Sequence, residues 1–209
     1  MKAVILTKSA MKAHGVSGVC TTAYDLDNNR LVRFVSNREG APIPFPYHKA
    51  YDCLDMVTVE VLEECPHSPQ AENLLVNIYS FESLGKYAPG IKDIYERISC
   101  LHHDDPSFMK NKSFKLDDVS EFEHSIEIKK VSGLFIWKDK TKTLAGFDNY
   151  PKFYHVTDAR YNLDKNPEAD TKIGDAYIVV SIPYENYYDE NKQAYIGFYK
   201  FVAAIYPIL

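Results

Sequence analysis

The sequence predicts a mostly β protein of the α+β class, built as two small β-barrels with a helical insert between them. Short runs rich in Val, Ile, Tyr and Phe recur at both ends of the chain, about five in each half, and helical spacing appears once, in the middle. The aromatic content points the same way. The chain holds 16 Tyr and 11 Phe against a single Trp, and Tyr and Phe favour pleated, half-buried surfaces. A length of 209 residues can form one domain or two. The order of elements favours a first barrel over 1–85, a helical insert and linker over 86–122, and a second barrel over 123–209.

In the first half, residues 2–7 are a short β-branched run that reads as a buried strand. Residues 8–15 read as a polar connection ending in His14-Gly15. Residues 16–24 resume a strand that carries the small residues Gly18, Cys20 and Ala23, suited to close packing or a bend. Asp27-Asn28-Asn29 is a turn signal, and residues 30–36 alternate again, so 16–36 is a hairpin candidate. Pro42, Pro44 and Pro46 deny the donors a ladder needs and mark a loop. Residues 53–64 read as one strand ending at Cys65-Pro66. Residues 67–73 read as a loop, and 74–79 as a further apolar run. Strands this short and closely spaced are the pattern of a small barrel.

Residues 90–101 place Ile91, Ile94, Tyr95, Ile98 and Leu101 at helical spacing behind Pro89. Residues 103–122 are polar with few apolar anchors and read as a linker. Strands then return at 125–131, where Ile126, Ile128 and Lys130 alternate with the other face, and at 133–138, 141–147 and 153–156. Residues 159–173 read as a polar insertion. Residues 176–182 and 195–205 read as the two strongest strands of the second half, the latter closing it.

The net charge of −5 argues against a protein that coats nucleic acid by bulk electrostatics, but the charge is uneven. Residues 1–40 hold six Lys/Arg against three Asp/Glu, a net of +3; residues 41–120 hold seven against thirteen, −6; residues 121–209 hold eleven against thirteen, −2. A local basic face on the first unit survives this count, beside the plainer reading of a mixed surface. Cys20, Cys53, Cys65 and Cys100 are scattered with no C-x-x-C pair. The opening apolar run, Ala3-Val4-Ile5-Leu6, is too short for a signal core, and no run approaches the roughly 20 residues that span a bilayer. Free thiols, a cytoplasmic location and no membrane association are therefore expected.

Several short stretches, taken in order, resemble a bacterial family, the dual OB-containing domain. They are Leu6-Thr7-Lys8-Ser9, Gly18-Val19-Cys20, Leu31-Val32-Arg33-Phe34-Val35-Ser36, Leu54-Asp55-Met56-Val57 and the loop 67–73 running into Glu72-Asn73-Leu74-Leu75. In the second half they are Val156-Thr157-Asp158, Val180-Ser181 and Tyr199-Lys200-Phe201-Val202-Ala203-Ala204-Ile205. The resemblance covers nearly the whole chain and implies two OB-like barrels. It departs from the family pattern at the third strand, where an Arg-Pro pair is expected and Phe34 follows Arg33, so Arg33 is not a fixed functional position. OB barrels commonly bind single-stranded nucleic acid, and such proteins look like parts of bacterial defence systems. Fold does not by itself fix function.

The candidate binding residues follow from where an OB barrel holds its ligand, the second and third strands and neighbouring loops. Lys8, Ser9, Lys12 and His14 follow the first strand, and Arg33 and Ser36 lie on the third. Lys and Arg there would meet phosphates, Ser would add hydrogen bonds, and Tyr24 or Phe34 could stack a base, unless Phe34 belongs to the core. Glu72 and Asn73 read first as a structural clasp with Arg33 as its partner, and Thr157 and Asp158 as a cap on a turn. His102-His103-Asp104-Asp105 offers metal-ligand chemistry, but adjacent residues rarely converge on one ion and no third partner is visible, so no metal and no cofactor are expected. No hydrolase, nucleotidase or metalloprotease motif is present, and an enzyme is not expected. Two functional readings follow: a non-catalytic module for single-stranded DNA, RNA or a nucleotide-like ligand, or an adaptor recruiting a protein partner through its acidic middle section.

Overall fold

The computed structural model describes residues 1–101, 113–114, 124–148, 150–163, 166–167, 171–183, 187–189 and 194–208. It is mostly β and divides into two compact units, Met1–His67 with Glu72–Asp104, and Ser68–Ala71 with Asp105–Leu209.

The first unit contains β1 (Lys2–Ile5), β2 (Ser9–Ala13), β3 (Val16–Asp25), β4 (Arg30–Val35), β5 (Ile43–Pro44), β6 (Asp55–Thr58), β7 (Val61–Glu64), β8 (Asn73–Val76), β9 (Glu82–Lys86) and α1 (Gly90–Leu101). Its sheet runs β7-β8-β4-β3-β1-β6-β9. Only Val59 and Glu60 separate β6 from β7 along the chain, yet these strands lie far apart on the sheet path. Two linking residues reach no more than roughly 10 Å, so the sheet has to curl until β6 and β7 meet. With β6 and β7 taken as one bent strand, the ring has the order first, second, third, fifth, fourth, and β4 and β8 run parallel. Ala3, Ile5, Val32, Phe34, Val57 and Leu74 are among the side chains that fill it.

The structure redraws several local expectations. Residues 8–15 are not a plain connection: β2 pairs with β3 from Ser9↔Cys20 to Ala13↔Val16. His14 and Gly15 both have positive φ, 50° and 74°, the geometry of a two-residue hairpin turn that matches strand twist. Residues 53–64 form two strands because the chain turns at Val59–Glu60 to serve two neighbours, β1 and β8. The proline loop still places Ile43–Pro44 against β3, where Gly18 leaves room: a Cβ on Gly18 would lie 2.1 Å from the Ile43 carbonyl oxygen. The fully exposed β9 lacks any apolar face and carries no readable pattern. The helix forms as its spacing demands, with Ile91, Ile94 and Ile98 buried and Asp93 paired to Arg97 one turn on, at 2.7 Å.

The second unit contains β10 (Ser113–Phe114), β11 (Ile126–Asp139), β12 (Lys142–Phe147), β13 (Tyr150–Val156), β14 (Lys172–Ser181), β15 (Tyr187–Asp189), β16 (Ala194–Tyr199) and β17 (Phe201–Pro207). Five of these close into a barrel, β11-β12-β13-β17-β14 and back to β11. The barrel repeats the order first, second, third, fifth, fourth, again with the third and fifth strands parallel. Runs 125–131 and 133–138 are one long strand with a bulge between Val131 and Leu134. The bulge switches the inward phase from Val131 to Leu134 and Ile136. Residues 195–205 are not a single closing strand. β16 leaves the barrel to pair with β10 and β15, and after a break at the buried Lys200 only β17 closes it. The short turn Ala159–Tyr161 and buried Leu163 interrupt the expected polar insertion. Most of the linker expected over 103–122 lies outside the described residues.

Candidate functional site

Most of the binding residues expected in the first unit have internal partners. The Lys8 ammonium donates to the Tyr51 carbonyl, pairs with Asp52 at 2.9 Å and lies over the Tyr51 ring. That ammonium holds the Asp52 carboxyl below its ordinary range. Ser9 is buried, His14 is exposed at the hairpin turn, and the side chain of Lys12 lies outside the described residues. Ser36 donates to the Pro42 carbonyl at 2.7 Å and closes the loop after β4. Tyr24 and Phe34 cannot stack a base: both are wholly buried, Phe34 in the barrel core and Tyr24 on the other face of β3 from Ala23, with its hydroxyl donating to Asn29.

Arg33 is 2% exposed. Its guanidinium donates to the Cys20 sulfur at 2.7 Å and lies 3.5 Å from the Glu72 carboxylate, while its backbone N–H bonds the Glu72 carbonyl. Asn73 is buried opposite Arg33 in the β4–β8 ladder. In the second unit Asp158 is buried and accepts from the backbone of Arg160 and of Ile205, at 3.0 and 2.9 Å. The Arg160 guanidinium grips the same carboxylate, bonds the Ile205 carbonyl and lies 4.9 Å from the Tyr206 ring centre. This ties the turn at Ala159–Tyr161 to β17. The backbone of Thr157 bonds Val202.

Sequence reasoning passed over a different surface, the outer face of the second barrel. Because Leu134 and Ile136 face inward on β11, the alternation of a strand turns Phe135 and Trp137 outward. On β13 the inward residues are Tyr154 and Val156, which turns Phe153 and His155 outward. Phe135 and Phe153 are 42% and 48% exposed. The Phe135 and Trp137 rings stack with centres 5.1 Å apart, and Phe153 meets Trp137 edge-on at 4.6 Å. Trp137, Leu144, His155 and Phe201 are register partners across β11, β12, β13 and β17, and the His155 and Phe201 rings lie 5.9 Å apart. The aromatic strip therefore crosses three strand spacings, roughly 14 Å.

Charge frames the strip. The turn from β11 to β12 carries Lys138, Lys140 and Lys142 against Asp139, all exposed, and exposed Lys172 on β14 pairs in register with Phe135. The signal was present in the sequence, two aromatics at a spacing of two beside alternating apolar residues.

On the inner side of β11, Glu127 and Lys129, two residues apart, form a buried ion pair to which His124 adds a bond at 2.9 Å. Among the described residues, no group of three or more His, Cys, Asp or Glu side chains is placed to hold a metal, and the candidate at 102–105 lies outside them. Cys20, Cys53 and Cys65 are free thiols, and no described helix is long and apolar enough to cross a membrane. No curated protein sequence matches the chain. The family model of the dual OB-containing domain matches residues 1–205, in agreement with the two strand orders, and the chain belongs to that family.

Proposed function

We propose that the protein is a non-catalytic binding module for single-stranded nucleic acid, and that the strip of Phe135, Trp137, Phe153, His155 and Phe201 is where it binds. The observation that carries this reading is the pair of exposed, mutually supported rings at Phe135 and Phe153 on one barrel face. Bases stack on such rings whatever their identity, each contact being worth about 1–3 kcal/mol. Lys138, Lys140, Lys142 and Lys172 would meet the phosphates. A duplex hides its base faces, so a single strand is the fitting ligand. Lys8, Arg33 and Ser36 support the barrel instead, and His14 and Lys12 would add contacts at the first hairpin. A role in a bacterial defence system is consistent with this chemistry.

The test is binding of a fluorescein-labelled oligothymidylate by anisotropy. Affinity should fall with salt with a log–log slope of about −2 to −3 for four lysines on a single strand. The Phe135→Ala, Phe153→Ala double variant should weaken binding at least about tenfold. Absence of binding at low salt, or undiminished affinity in the double variant, would reject the proposal.

A further inference from the structure

A second set of exposed rings sits at one end of the first barrel. β1 and β4 are both antiparallel to β3, and β8 is parallel to β4, so all three finish at the same end. Residues 36–54 and 77–81 leave from that end. Phe34, Phe81 and Tyr51 plug it, with ring centres 5.7 and 4.7 Å apart in sequence and the Tyr51 hydroxyl bonded to Thr21. Outside this plug Phe45 meets His48 edge-on at 4.7 Å, and Tyr47 meets Tyr79 edge-on at 5.0 Å. Phe45 and Tyr79 are 50% and 75% exposed and add little to the core, whereas Tyr47 packs partly against it.

The polar groups around these rings are also uncommitted. The Lys49 ammonium is exposed and makes no ion pair among the described residues. The Nδ1 atom of His48 is shielded from solvent and has no hydrogen-bond partner among them. Both large hydrophobic side chains left exposed in residues 45–51 and 77–81 are aromatic, Phe45 and Tyr79. A flat ligand with polar edges and an anionic backbone suits this set. An apolar protein surface would have to cover Lys49 and the imidazole without pairing them.

We infer that Phe45, Tyr47, His48 and Tyr79 form a second, separate stacking site for a nucleobase of a single strand, with Lys49 at its phosphate. The site shares its ligand chemistry with the proposed function but none of its residues.

The test uses the full chain carrying Phe135→Ala and Phe153→Ala, so that the first site is weakened, and an oligothymidylate bearing 4-thiothymidine. Weak low-salt binding should persist, and photocrosslinks should map to peptides containing Phe45 or Tyr79. Adding Phe45→Ala and Tyr79→Ala should reduce that residual affinity about tenfold, while Tyr79→Phe should leave it nearly unchanged, because stacking needs the ring and not the hydroxyl. Circular dichroism checks that each variant is folded. The inference is overturned if crosslinks fall only on the second-barrel strip, or if the added substitutions change nothing. Full affinity in the Phe135→Ala, Phe153→Ala chain, abolished by the Phe45 and Tyr79 substitutions, would instead reject the strip and keep this site.

Discussion

Phe135 lies across the backbone of Gly146: a Cβ built at position 146 would sit 2.8 Å from the Phe135 ζ carbon and 3.4 Å from the δ1 carbon of Phe153. The glycine lets both rings approach the backbone of β12 closely, and the Phe135 ring in turn covers a stretch of sheet that has no side chain of its own. Gly146→Ala should push the Phe135 ring away from Trp137. The ring's far end can swing, so the fold should lose at most about 1 kcal/mol. Affinity for an oligothymidylate should fall about fivefold, a fraction of one stacking contact. Anisotropy titration beside a urea melt separates the two effects.

Asp158 supports the second barrel through the backbone of Arg160 and Ile205 and the Arg160 guanidinium. Replacing it with Ala leaves a buried backbone N–H without its acceptor and strands the guanidinium. Asp158→Ala should cost about 3 kcal/mol in the unfolding of that unit, read as a lower urea midpoint. Asp158→Asn should recover part of this, since the amide oxygen can still accept from Ile205.

Arg33 offers a sharper contrast, because its residue type suggests phosphate binding while its surroundings are internal. With Glu72 at 3.5 Å and both side chains buried, Glu72→Gln leaves an uncompensated guanidinium in the first barrel. The expected loss is about 3 kcal/mol of stability. Oligonucleotide affinity of the folded fraction should stay within about twofold of the parent, as Arg33 lies outside both stacking surfaces. A large affinity loss with unchanged stability would assign Arg33 to the ligand.

His48 makes the first unit sensitive to acid. Its folded pKa is lowered, chiefly by burial and then by the charges of Lys8 and Lys49. The unfolded chain takes up the proton near the ordinary value of about 6.5, and the folded chain only at lower pH. Between those values the unfolded state holds more protons, so stability is fully present above the ordinary value and declines as pH falls through the window below it. His48→Gln should flatten that part of a melting-temperature profile. An unchanged slope would show that another group is responsible.

These contrasts also show what a sequence exposes. The helix at Gly90–Leu101 was legible because Ile91, Ile94 and Ile98 repeat at one period and nothing competes with it. The hairpin of β3 and β4 was legible from its asparagine turn, where Asn29 takes a positive φ. The break at Val59–Glu60 was not, because it answers to barrel closure, a long-range demand on a run that is locally all strand. Lys8 and Arg33 were selected by residue type and by the strands on which an OB barrel holds its ligand. Glu72 was expected beside Arg33, whereas Asp52, the partner of Lys8, lies 44 residues away in sequence with no local signal, and only folding brings the two together. The strip was hidden for a related reason. Exposure of Phe135 depends on the phase of β11, which a bulge resets.

The single tryptophan of the chain, Trp137, stands inside the proposed strip between Phe135 and Phe153. Its emission therefore reports on that surface without any label. Titration of the unmodified protein with oligothymidylate at low salt should quench Trp137 saturably, with a midpoint that matches the anisotropy curve and shifts to weaker binding as salt is raised. Binding seen by anisotropy with Trp137 emission unchanged would contradict the assignment of the strip as the nucleic-acid site.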